Sequence, residues 1–216
     1  MHVTPDLPRG LNKIRVEALS DGVFSIAMTI LVFDIKVPVG IHLNSDGAMQ
    51  ALLNQWPYFL SYFVSFTVLG MFWTSHNVFF HFFSRTVNRV LIQINMIYLL
   101  FIALIPFSAH FLGTYVESKV AIAVYGVNMV IIGILAYSMF VYALYSHDID
   151  TSHIPSRIIK QARIRTLLTP SFAFIGILAM WIQPDSALFF FAFPIVFNIV
   201  PGSLDFAEHV LGIELK

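Results

Sequence analysis

RVEALSDGVFSIAMTILVFDI, residues 15–35, decides how this chain folds. From Gly22 to Phe33 the stretch carries no charge and is apolar apart from Ser25 and Thr29. A helix that crosses a bilayer needs roughly 20 mainly apolar residues, and a helix from Leu11 to Ile35 meets that length. Its first two turns are unusual, because Arg15, Glu17 and Asp21 sit at the entrance to the apolar run, with Ser20, Ser25 and Thr29 along the same helix. Ionisable groups at membrane depth are costly and face protein or water rather than lipid. Arg15 and Asp21 are six positions apart, so they are not neighbours on one helix, and each is expected to pair with another helix. The plain reading of these groups is an assembly clamp at the membrane edge. Further along, Ile26, Ile30 and Phe33 recur at i, i+4 and i+7 and share one face; Gly22 leads into this stripe and Thr29 lies at its edge. Spacing alone makes the stripe a packing or lipid-facing surface, not a pore.

Composition extends the membrane reading to the whole chain. Of 216 residues, 58% are hydrophobic and 11% are charged. Soluble domains carry about 25% charged residues. The mean hydropathy is +0.80. Net charge is formally zero, so no basic field points to nucleic acid. The absence of cysteine excludes disulfides, thiolate catalysis and Cys-based zinc sites. The opening MHVTPDLPRGLNK does not read as a cleavable signal, since Asp21 interrupts the first apolar stretch and no small-residue cleavage site follows.

The sequence predicts an all-α polytopic membrane protein, a single domain over 1–216 with six transmembrane helices at about 11–35, 49–84, 88–112, 117–147, 157–182 and 187–203. Pro57 is expected in the first turns of the second helix, and Pro106 marks a kink in the third. SHDIDTSHIPSRIIKQARIR, residues 146–165, is the one extended polar connection. Ten of the twelve Lys and Arg residues fall on one side of this map; only Lys36 and Lys119 fall on the other. That asymmetry favours six spans with both termini in the cytoplasm.

Few other residues could carry chemistry. Trp73 and His76 lie in FWTSHNVFFHFF, residues 72–83. His76 and His81 are five apart, a poor spacing for two ligands on one helix face, and no carboxylates accompany them. A buried, hydrogen-bonded His76 is the expectation, with no metal site. Asn95 in the third helix also needs a partner. No phosphate-binding glycine loop, HExxH motif or Ser-His-Asp arrangement is present, so an enzyme, such as a lipid hydrolase, is not expected, and neither is a cofactor.

Residues 15–35 resemble the first helix of the transmembrane protein 175 family, whose signature R-x-x-x-F-S-D reads here Arg15-Val-Glu-Ala-Leu19-Ser20-Asp21. SYFVSFTVLGMFWTSHNVFFHFF, residues 61–83, is similar to the family's second helix with its Trp and His. Two positions depart from the pattern: Leu19 replaces the usual Phe, and Phe33 stands where a smaller aliphatic residue is usual. The resemblance is to the single-repeat prokaryotic members. It implies a modestly selective potassium channel, a homotetramer of six-helix subunits in the prokaryotic plasma membrane, with a central pore lined by the first helix of each subunit. Its constriction ring would fall on Ile26, with Thr29, Ile30 and Phe33 beyond and Gly22 before it. Potassium ions and the lipid bilayer are the implied partners. Arg15, Ser20 and Asp21 would form an interhelical network with Trp73, His76 and Asn95 that holds the pore helix in register. The alternative is a secondary transporter or proton-permeable carrier. Such a carrier usually has an ionisable group near the bilayer midplane, whereas Asp21 and Asp34 lie near helix ends.

Overall fold

The computed structural model describes residues 12–36, 45–84, 86–147, 149, 151, 154–184 and 186–199. The expectations for the two termini, for Arg85, and for the last residues of the sixth span lie outside the described residues. The described elements are helices: α1 Lys13–Ile30, α2 Ser45–Leu53, α3 Trp56–Val78, α4 Arg89–Ala103, α5 Ile105–Thr114, α6 Lys119–Tyr145, α7 Ser156–Ala179 and α8 Ser186–Ile199. A 3-10 turn, Leu31–Asp34, extends α1, and a π-helical turn, Phe79–Phe83, extends α3.

Local chemistry explains the breaks. α1 begins where the Asn12 side chain accepts a hydrogen bond from the Ile14 N–H at 3.1 Å. Asn88 caps α4 in the same way, accepting from Leu91 N–H at 3.0 Å. The single helix expected over 49–84 is divided in two. Pro57 has no N–H to give the Leu53 carbonyl, so α2 stops at Leu53 and α3 restarts with Pro57 in its first turn. Pro106 does the same to the Ile102 carbonyl, and the chain turns at Leu104 between α4 and α5.

α1, the α4–α5 pair, α6 and α7 are long and apolar enough to cross a bilayer. α3 is as long, with 23 residues, but its Ser, Thr, Trp, Tyr and His side chains dilute its apolar character. α8 is apolar but is described over only 14 residues.

α6 is the hub. It packs on α7, α4 and α5, while α7 carries α8 and α3 packs on α5. Contact between α6 and α7 is close enough that a Cβ on Gly133 would lie 2.6 Å from Pro170 Cδ. Near one end of these helices Lys119 sits 4.5 Å from the Trp181 ring centre, a cation–π pair. α1 lies against α3 and α4 at the edge of the subunit. Only 28% of its span is buried, against 44% for α6.

Candidate functional site

The two faces of α1 differ in kind. Ser20, Phe24, Ala27 and Leu31 are buried and recur at intervals of four, three and four, a seam facing the rest of the subunit. On the opposite side Leu19, Gly22, Ile26, Ile30 and Phe33 are exposed. Ile26 is 60% exposed and Phe33 74%. Thr29 is exposed beside them, and its hydroxyl donates back to the Ser25 and Ile26 carbonyls at 2.8 and 3.0 Å. The hydroxyl proton is thus used inside the helix, which leaves oxygen lone pairs directed outward.

A chain of buried hydrogen bonds anchors the seam. Ser20 Oγ donates to the Val16 carbonyl at 2.9 Å. It accepts from Asn95 Nδ2 at 3.2 Å, and Asn95 Oδ1 lies 2.8 Å from His76 Nε2. Since Asn95 must turn its amide nitrogen toward Ser20, its oxygen faces the imidazole, and His76 carries its proton on Nε2. Ser20 and Asn95 are fully buried, and His76 is 5% exposed. Aromatic rings enclose the imidazole: Tyr98 stacks on it at 5.6 Å, with Phe80 at 4.7 Å and Phe24 at 5.8 Å between centroids. Farther from the Lys13 end of α1, Trp73 Nε1–H donates to Asp21 Oδ1 at 2.9 Å.

Five of the six residues expected in the network are therefore hydrogen-bonded, Ser20, Asn95 and His76 in one chain and Asp21 and Trp73 in a separate pair. Arg15 is not. It is exposed, with no hydrogen-bond or ion-pair partner among the described residues, and it lies on the same line as Leu19, Gly22 and Ile26. Sequence reasoning missed the contacts of four further residues. Lys13 Nζ donates to the Phe80 carbonyl at 2.6 Å and lies 3.6 Å from Glu17 Oε1, tying α1 to the π-helical turn. Tyr98 supplies the ring under His76. At the far end of α1, Asp34 Oδ1 lies 2.9 Å from His110 Nδ1 on α5. Lys13 could be read only as a topological charge, because the carbonyl it meets is 67 residues away. Asn95 and Tyr98 are three apart on α4, the one local hint that Tyr98 faces the same way as Asn95.

The arrangement makes a rigid helix with one face locked and the other left open. Residues 15–106 match the family model described as endosomal/lysosomal potassium channel TMEM175. A potassium channel of Streptomyces collinus is 40% identical over 144 residues, 65% of this chain and 66% of that one. The human endosomal/lysosomal proton channel TMEM175 is 36% identical over 108 residues, 47% of this chain but only 21% of its own length. Among solved structures, a crystal structure of a lysosomal potassium-selective channel TMEM175 homolog from Chamaesiphon minutus superposes with a TM-score of 0.75 at 25% identity, covering 87% of this chain and 96% of that one.

Proposed function

Because this chain belongs to the TMEM175 family of ion channels, we propose that it is a passive potassium channel whose conduction path is lined by α1. In this reading four copies assemble around a shared axis in the plasma membrane of a prokaryote. Each copy has six transmembrane passages, formed by α1, α3, α4–α5, α6, α7 and α8, with both termini cytoplasmic. Ile26 forms the narrowest ring, Gly22 precedes it, and Thr29, Ile30 and Phe33 follow.

One observation carries the reading: α1 is held by Ser20, Phe24, Ala27 and Leu31 while Gly22, Ile26, Ile30 and Phe33 are turned away from their own subunit. A lipid-facing surface would also be turned outward. Here, though, the exposed side includes Arg15, Ser25 and Thr29. A charge and hydroxyls suit a wet path around a symmetry axis better than acyl chains. A narrow apolar ring gates by emptying of water. Potassium holds its hydration shell less tightly than sodium, so squeezing past such a ring costs it less, and the Thr29 lone pairs replace some of the lost water. Selectivity is accordingly modest.

The test is flux. Purified protein in liposomes should pass potassium down its gradient without ATP, and Ile26→Asn should wet the ring and raise basal flux. Unchanged conductance and selectivity in Ile26→Asn would refute the assignment of this ring. A second reading, proton passage through the same path, is favoured by the likeness to the human relative, an endosomal/lysosomal proton channel. A pH gradient applied without potassium separates the two, since proton current then flows only if that reading holds.

A further inference from the structure

A cavity of about 270 Å³ lies between α3 with its π-helical turn, α6 and α7. Its walls are largely aromatic and aliphatic, with Phe72, Phe79, Phe83, Met139 and Phe140 among them. Arg165, Gln161 and Thr166 of α7 enter the same space. Among the described residues, no acidic side chain lines it. Arg165 is half-buried and has no hydrogen-bond or ion-pair partner among the described residues. A guanidinium in an apolar-walled space between transmembrane helices is costly unless an anion meets it. Arg157, Lys160 and Arg163 lie on the same first turns of α7, so this end of the helix is strongly basic. Pro170 adds a second feature: it has no N–H for the Thr166 carbonyl one turn back, so a backbone acceptor beside the cavity is left without its helical donor.

We propose that this cavity is a binding site for one anionic phospholipid per subunit, with the phosphate on Arg165 and an acyl chain along the phenylalanine wall. Basic pockets between transmembrane helices on the cytoplasmic side are suited to phosphate head groups, and the surrounding bilayer supplies them at high concentration. The guanidinium meets phosphate oxygens with two parallel N–H donors. A glycerol hydroxyl on the head group can donate to the Thr166 carbonyl. The site also shares His76 with the anchor of α1, so a chain seated there packs against the cavity side of that histidine. The site stands on its own geometry and does not depend on which ion the protein conducts.

Native mass spectrometry of the full-length protein, exchanged into detergent with equal amounts of phosphatidylglycerol and phosphatidylcholine, tests this. Wild type should retain phosphatidylglycerol about tenfold better than phosphatidylcholine, the size of one charge-assisted hydrogen-bonded contact. Arg165→Gln should abolish the preference, while Arg163→Gln, which removes the same charge from an exposed position of the same helix, should leave it within about twofold. Ala136→Phe fills the cavity without touching charge and should also abolish retention. If Arg165→Gln fails to fold, the wild-type preference and Ala136→Phe decide alone. Addition of phosphatidylglycerol should raise the thermal midpoint of wild type and not of Arg165→Gln. The proposal is overturned by equal wild-type retention of both lipids, which would mean an apolar groove only. It is also overturned by equal losses in Arg165→Gln and Arg163→Gln, which would mean diffuse attraction, or by displacement of the lipid by inorganic phosphate.

Discussion

Asn95 is the residue on which the anchoring of α1 turns, since it satisfies two side chains at once. Asn95→Leu leaves the His76 N–H buried without a partner and removes the amide donor to Ser20 Oγ, which keeps only its bond to the Val16 carbonyl, at a cost of about 1–3 kcal/mol. The loss should appear as a lower thermal midpoint in detergent. Ser20→Ala alone should cost less, and the double variant should cost less than the two singles together, because they break one chain. Additive losses would show that the bonds act independently. At Asp21 the carboxylate serves as an acceptor for Trp73. Asp21→Asn should therefore keep near-normal flux and Asp21→Leu should not. The stripe Ile26, Ile30, Phe33 was legible in the sequence because helical periodicity alone puts those residues on one face. The residue types of the network were legible too. Their pairing was not: it depends on how α3 and α4 pack. The isolation of Arg15 and the reach of Lys13 to Phe80 come from that packing alone.

Among the elements, the α6–α7 contact sets the tightest tolerance. Gly133→Ala would put a Cβ 2.6 Å from Pro170, and backbone and ring must separate to admit it. The expected penalty is about 1–3 kcal/mol, read as a lower unfolding midpoint. Gly22→Ala is the contrast, since a Cβ there meets nothing within 4 Å. It should leave subunit stability unchanged while narrowing any path that α1 lines, so reduced conductance at unchanged midpoint is the expected pair of results. Hydropathy and length made the helices visible in the sequence, and Pro106 showed where α4 and α5 part. The split between α2 and α3 was harder, because a proline in the first turn of a helix and one that ends the preceding helix look alike until the carbonyl at Leu53 is traced. The π-helical turn at Phe79–Phe83 has no sequence signal in FFHFF.

For the whole molecule, the account rests on the side of α1 that its own subunit leaves uncovered. A surface carrying Arg15, Ser25 and Thr29 together with Ile26 and Phe33 fits poorly against acyl chains, and the proposed closing of four such surfaces around an axis would give each a wet side. The expectation of a tetramer came from family resemblance alone, because nothing in a periodic apolar stripe distinguishes a neighbouring subunit from lipid. The chain contains no cysteine, so single introduced thiols report unambiguously. The decisive measurement is potassium flux through Ile26→Cys before and after a cationic thiol reagent. Phe63→Cys on α3, 62% exposed, serves as the control. Modification at 26 should block flux and modification at 63 should not. Full flux after complete labelling at 26 would show that α1 does not line the path.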